Sequence, residues 1–255
     1  MAITQHGAHV VSWQAGGREQ FYMSPASVRD AQAALRGGVP VCWPQFNQRG
    51  PLPKHGFARN LPWRLKTFEP KGSGAVLTLA LVSDERTQAQ WPAAFEAELV
   101  VAQQPGLLRL TLSVRNTGNT AWSFTGALHS YLAVDDVGGA RLDGLAGQAE
   151  WDAVSDVSGL AVSPLVFEGE FDRVYTAAPQ PLTLRDGTHH LRISQSPSWA
   201  HTVVWNPGAH RAATLSDLPP DGWRRYVCVE AAQVFEPVVV APGAEWTGWQ
   251  DLEVL

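Results

Sequence analysis

Two stretches of strict alternation constrain this chain most. Leu77, Leu79 and Leu81 alternate with Thr78 and Ala80. Leu108, Leu110, Leu112 and Val114 alternate with Arg109, Thr111, Ser113 and Arg115. Period two sends successive side chains to opposite faces, so each stretch reads as a strand with one dry and one wet face. Asn116-Thr117-Gly118-Asn119 reads as a turn that returns the chain into a strand from Trp122 to Val134. Further strands are expected over Phe95 to Gln103 and near Val166, Leu182, Leu191, Val203, Val227, Val238 and Trp246. No alternation of strands with helices supports a parallel sheet. The expected fold is therefore all-β, a large antiparallel β-sandwich, forming one domain over residues 1–255. Nearer the start, Ala8 to Trp13 reads as a strand that Phe21 to Ser24 could join. Short helical turns are expected within Ser27 to Leu35 and at Arg86 to Gln90, and Asp84-Glu85 and Asp135-Asp136 read as turn acids.

Composition narrows the function classes. Apolar residues make up 45% of the chain, enough for a sizeable core, and the 11 tryptophans are read first as core residues. Cys42 and Cys228 sit in apolar runs, which suggests buried reduced thiols and a cytoplasmic protein, although a disulfide between them stays open. No apolar run reaches the length of a membrane span and no signal peptide is evident. A formal net charge of -5 argues against a nucleic-acid partner.

Against that acidic background, Arg36 to Lys66 holds six Lys or Arg and no Asp or Glu, so the rest of the chain sums to -11. The segment is broken by Gly37, Gly38, Pro40, Pro44, Gly50, Pro51, Pro53 and Gly56, which rules out a helix. Trp43, Phe46 and Phe57 can pin such a loop to a scaffold. A basic loop held in place suits an anionic ligand.

Two residues carry candidate chemistry. By alternation His129 shares a face with Ala127 and Tyr131, opposite Leu128, Ser130 and Leu132; an imidazole there is either structural or an acid–base group. Glu230 lies within Tyr226-Val227-Cys228-Val229-Glu230-Ala231-Ala232. It either faces solvent or is buried, and burial would raise its pKa toward the range of a general base. His189-His190 points to two faces and suits chelation poorly. No metal-ligand spacing and no phosphate-binding glycine motif is present.

In order along the chain, RGGVPVCWPQF, KHGFAR, TGALHSYLAV, FDRVY and SDLPPDGWRRYVCVEAA resemble the motifs of the hexose-6-phosphate mutarotases (glucose-6-phosphate 1-epimerases). These belong to the galactose-mutarotase-like superfamily. The resemblance runs from about Ala8 to Leu255 and implies a supersandwich with a sugar site in its concave face. It implies interconversion of the α and β anomers of a hexose 6-phosphate, glucose 6-phosphate first among them, without metal or cofactor. His129 resembles the catalytic acid and Glu230 the catalytic base. Arg36 and Arg59 resemble the residues that hold the phosphorylated substrate, and His55 and Asp172 match positions that contact sugar hydroxyls. Lys54 stands where some relatives have Gln and keeps or adds positive charge; whether Lys54, Arg49 or Arg224 completes the anion site stays open. Relatives generally carry one or two more strands before HGAHVVSW, so one sheet edge is expected to differ. The expected partner is a small-molecule sugar phosphate, with no nucleic acid and no membrane, and the protein is expected to be a monomer. A non-catalytic carbohydrate or sugar-phosphate binding protein is the alternative. A glycoside hydrolase would ordinarily need a second flanking carboxylate.

Overall fold

The computed structural model describes residues 1–28 and 33–255. Two eight-stranded sheets, antiparallel throughout their ladders, face one another. The first runs, edge to edge, Val157–Leu160, Ala149–Asp152, Phe171–Thr176, His201–Asn206, Tyr226–Val240, Trp122–Leu128 and Val41–Cys42, with Tyr131–Ala133 also paired to Tyr226–Val240. The second runs Arg141–Asp143, Leu182–Asp186, His189–Gln195, Glu245–Val254, Leu107–Asn116, Phe95–Gln104, Gly74–Val82 and Arg64–Lys71.

Alternation decides which side chains meet. From the first sheet Phe124, Leu128, Leu132, Val227, Val229 and Ala231 point between the sheets, and Leu99, Val101, Leu108, Leu110, Leu112 and Leu252 meet them from the second. The other face of the second sheet is wet and carries ion pairs such as Arg109 with Asp251 and Arg115 with Glu96. The first sheet is covered on both faces in its middle, which is why Tyr226 to Val234 is buried at every residue. Its outward side chains Tyr226, Cys228, Ala232 and Val234 pack beneath loops rather than beneath the second sheet.

The basic segment is one of those loops. Trp43 is fully buried and meets Phe57, Phe95, Phe124, Trp91 and Trp122 at ring-centroid distances of 4.6–6.3 Å. Phe46 and Phe57 are also buried, each such burial contributing roughly 1.5–3 kcal/mol. The tryptophans are mainly core, with Trp13, Trp43, Trp63 and Trp199 among the largest fully buried side chains. Both cysteines are buried free thiols.

Several expectations need correction. The Trp122 to Val134 strand is interrupted at His129-Ser130, where the chain leaves the ladder and rejoins it at Tyr131. Phe21 to Ser24 does not join His9–Ser12; Phe21 bridges to Leu132 and Met23 to Gly37. No strand forms at Val166, where Leu165 makes only a single bridge to Leu142. Val227 and Val238 belong to one strand of 15 residues, bent by a register shift opposite Phe124–Gly126. Asp84 caps the helix Glu85–Gln90 in a reciprocal capping box with Thr87 instead of sitting in a free turn. The helical turn expected within Ser27 to Leu35 falls largely on residues 29–32, outside the described residues, and its described flanks are not helical.

Candidate active site

The interruption at His129-Ser130 builds the site. The Leu128/Ala231 and Tyr131/Cys228 pairs flank it, leaving His129 opposite Glu230 across two adjacent strands. The His129 backbone N–H donates to Pro40 (3.1 Å), and the Val229 N–H donates to the Ser130 carbonyl (3.1 Å). On the inner face the Ser130 hydroxyl donates to Gln250 Oε1 (2.6 Å), while Gln250 Nε2 donates to the Val229 carbonyl (3.0 Å). Gln250 is wholly buried, so the second sheet braces His129 and Glu230 from behind. On the outer face the His129 ring stacks on Tyr131 (4.7 Å, 10°) and meets Trp205 edge-on.

His129 Nδ1 lies 3.2 Å from Glu230 Oε1. Both residues are buried, and His129 Nδ1 and Glu230 Oε2 have no hydrogen-bond partner of good geometry among the described residues. Burial, then the positive charges of Arg59, Arg36 and Lys54, push the His129 pKa well below the ordinary imidazole value. Burial, then Asp172, pushes Glu230 well above the ordinary carboxylate range. Both shifts run toward the neutral forms, an unprotonated His129 ring beside a protonated Glu230 carboxyl.

These two groups open into a cavity of about 200 Å³ that all seven expected site residues line: His129, Glu230, Arg36, Lys54, His55, Arg59 and Asp172. A larger cavity of about 840 Å³ lies beside Glu19, Tyr22 and Asp135, but its charges are already answered. There Glu19 accepts from the Trp13 and Phe21 amides, and Arg18 faces Asp135 and Asp186. The buried imidazole–carboxyl contact of His129 with Glu230 distinguishes the smaller cavity.

The basic loop supplies one wall. Gln45 organises it, donating to the Asn47 and Leu52 carbonyls and accepting from the Leu52 amide, each at 2.9 Å. His55 is held at φ 66°, a rare conformation for a residue with a Cβ, and Gly56 follows at φ 69°. A Cβ on Gly56 would lie 2.3 Å from the Trp43 carbonyl oxygen, which accepts from the Phe57 and Ala58 amides. His55 Nδ1 accepts from the Asn47 amide (3.3 Å), placing the His55 proton on Nε2, and burial keeps the ring neutral. Arg59 Nη2 donates to the Lys54 carbonyl (3.0 Å).

Arg36 approaches from another direction. Its Nε donates to Asp217 Oδ1 (2.8 Å) and its Nη1 lies 3.5 Å from the Tyr131 hydroxyl. Asp172, on the strand beside Trp205, completes the floor; burial, then Glu170, pushes its carboxyl up to about 6. Arg49 and Arg224 do not reach the cavity: Arg49 stacks over Trp151 and Phe235, and Arg224 over Trp223 while pairing with Asp136. Sequence reasoning missed Arg211, Tyr131 and Trp205, which also line it. Tyr131 and Trp205 alternate onto the same face as His129 and Asp172, a signal present in the sequence; Arg211 sits in a short helix with no such signal.

Cys228 Sγ joins the ring nitrogen of His129 and a Glu230 oxygen within 4.8 Å, a donor set of the right kind for a thiophilic divalent cation. Burial, then Glu230, pushes that thiol well above its ordinary range, and Arg36, Lys54 and Arg59 line the same cavity. Both oppose a cation. A buried carboxyl beside a buried imidazole, open to a small polar cavity, suits proton transfer at two atoms of one small molecule. None of the helices among the described residues is long and apolar enough to cross a membrane.

The chain is similar to known proteins over most of its length. A protein of Salmonella typhimurium provisionally named glucose-6-phosphate 1-epimerase is 35% identical over 246 residues, covering 91% of this chain and 79% of that protein. A Cenchrus ciliaris protein with the same provisional name is 34% identical over 260 residues, covering 96% and 78%. The crystal structure of YeaD from Salmonella typhimurium, provisionally named a mutarotase, superposes with a TM-score of 0.91 at 31% identity over 99% of this chain and 85% of its own. With the aldose 1-epimerase sequence profile matching residues 1–253, the chain belongs to the aldose 1-epimerase family, whose reaction is the interconversion of sugar anomers.

Proposed function

We propose that this epimerase acts on hexose 6-phosphates, glucose 6-phosphate first among them, with His129 and Glu230 as its acid–base pair. The observation that carries the reading is one cavity joining that pair to Arg36, Lys54 and Arg59. Ring opening removes a proton from the anomeric hydroxyl and delivers one to the ring oxygen. Glu230 as carboxylate takes the first; His129 as imidazolium gives the second. The open aldehyde then turns about C1–C2, His129 takes the proton back from the C5 hydroxyl, and protonated Glu230 returns one to the carbonyl oxygen. The pair carries one proton throughout. Neutral His129 with protonated Glu230 is the state paired with the open-chain intermediate, and it is the state the buried cavity favours. A bound phosphate dianion offsets the cations that depress His129, favouring the imidazolium needed to start.

The phosphate lies remote from C1, so its contacts chiefly bind and orient. Guanidinium forks match its oxygens, and His55 and Asp172 are the groups for sugar hydroxyls. The names of the Salmonella and Cenchrus relatives point to the same substrate. The test is anomer exchange followed by NMR on glucose 6-phosphate and free glucose. The expected result is a markedly higher kcat/KM for the phosphate, and Glu230→Gln lowers the rate about 10²–10⁴-fold while ligand still binds. No preference for the phosphorylated sugar sinks the substrate assignment; a fully active Glu230→Gln enzyme removes that residue from the mechanism.

A further inference from the structure

The cavity holds more positive charge than its protein partners neutralise. Arg36 is answered by Asp217. Among the described residues Lys54, Arg59 and Arg211 line the same cavity without an ion-paired carboxylate, and Arg59 Nε is buried without any hydrogen-bond partner. Lys54 is pushed below its ordinary pKa by burial, then by Arg211 and Arg59, as expected where like charges crowd. Glu170, Asp172 and Glu230 line the cavity too, but Asp172 and Glu230 are both shifted toward their neutral forms. Cations crowded together without ion-paired carboxylates form a built receptor for an anion.

Arg211 is the member that no motif marks, and the fold holds it in place. It lies on the short helix Gly208–Ala212, directly after the strand that carries Val203 and Trp205 into the cavity. Asn206 anchors the entry: its Oδ1 accepts from the Gly208 amide (2.9 Å) and its Nδ2 donates to the Trp223 and Tyr226 carbonyls (2.8 Å each). Gly208 sits at φ 59°, where a Cβ would lie 2.4 Å from the Gly169 carbonyl, so the helix is seated against the segment leading to Asp172. Ala212 is buried in the cluster of Tyr131, Leu218, Tyr226 and Cys228, which fixes the helix's rotation. Arg211, next to that anchor, lines the cavity together with Lys54 and Arg59.

We propose that Arg211 is a specificity-determining residue that contacts the substrate's phosphate together with Lys54 and Arg59. The proposal rests on the hexose-phosphate reading above, and it adds the sugar-distal wall of the site: the basic loop supplies two cations and the helix after His201–Asn206 supplies the third. Arg36, already bonded to Asp217 and Tyr131, offers fewer free N–H groups than Arg211 does.

Inorganic phosphate is the probe, titrated by calorimetry into wild type, Arg211→Ala and Arg211→Lys, with NMR anomer exchange on glucose 6-phosphate and glucose in parallel. Arg211 is solvent-exposed at the mouth, so the variants fold as the parent does. Arg211→Ala is expected to weaken phosphate binding about tenfold and to lower the kcat/KM ratio of glucose 6-phosphate to glucose by a similar factor, while Arg211→Lys retains most of both. Phosphate affinity unchanged in Arg211→Ala overturns the inference alone, provided wild type prefers the phosphorylated sugar. Wild type that neither binds phosphate nor prefers the phosphorylated sugar overturns the substrate reading and this inference together.

Discussion

Gln250 ties the acid–base pair to the far sheet, and its replacement should show how much that tie matters. Gln250→Leu keeps nearly the same volume in a site with no solvent exposure. It removes the acceptor of the Ser130 hydroxyl and one donor to the Val229 carbonyl. A buried polar group left unpaired costs about 1–3 kcal/mol; the Ser130 hydroxyl is left without its acceptor, and the Val229 carbonyl, facing the gap in the ladder, loses its Gln250 donor. The added leucine surface offsets part of this, so a loss of about 2–3 kcal/mol is expected. Ser130→Ala removes the orphan, so Ser130→Ala/Gln250→Leu should lose less than the two single variants summed, by about 1–2 kcal/mol. Urea unfolding at constant m-value measures each term. Ser130 neighbours His129 and Val229 neighbours Glu230, so anomer exchange by the folded fraction should also slow in Gln250→Leu. Additive losses under about 0.5 kcal/mol, with an unchanged rate, would refute the idea that the second sheet positions the pair.

Two further outcomes are expected. Asp172 titrates at about 6 in the fold against 3.8 in a free chain, so the proton is bound more tightly by the folded state; its contribution to stability is full below pH 3.8 and is lost as pH rises through 6. Asp172→Asn should therefore gain thermal stability over wild type above pH 6, lose that advantage toward pH 4, and bind sugar phosphate more weakly; a melting-temperature difference independent of pH would contradict the assignment. Gly56→Ala forces a Cβ against the Trp43 carbonyl at a left-handed backbone position, and a loss of about 2 kcal/mol with a larger loss of phosphate affinity is expected from thermal melts and calorimetry.

The strands that alternate cleanly were legible because burial on one face and water on the other leave a period-two trace. Leu107–Asn116 and Gly74–Val82 show it, and both lie in the sheet with a wet outer face. The first sheet hides its pattern, since both faces of its central strands are dry. That is why Tyr226 to Val234 looks uniformly apolar and why Glu230 stood open between two environments. The edge strands Val157–Leu160 and Arg64–Lys71 bury no residue, so no burial pattern marks them. The gap at His129-Ser130 leaves no trace either, because Leu128 and Leu132 keep their alternation across it. Residue roles came through the five ordered motifs, which is also why Arg211, outside them, escaped notice. Asp217 lies within the last motif but had no visible partner until Arg36, 181 positions away, was brought beside it.

The cavity draws three of its four cations, Arg36, Lys54 and Arg59, from the first quarter of the chain and its proton-transfer pair from the middle and the end. A ligand spanning them therefore acts as a clasp between the Trp43-centred loop and the sheet on which it rests. Such a ligand should slow hydrogen exchange at the Phe57 and Ala58 amides, both bonded to the Trp43 carbonyl, even though neither residue touches the sugar. Occupancy of the pocket would then be readable as rigidity of a segment that lies behind it.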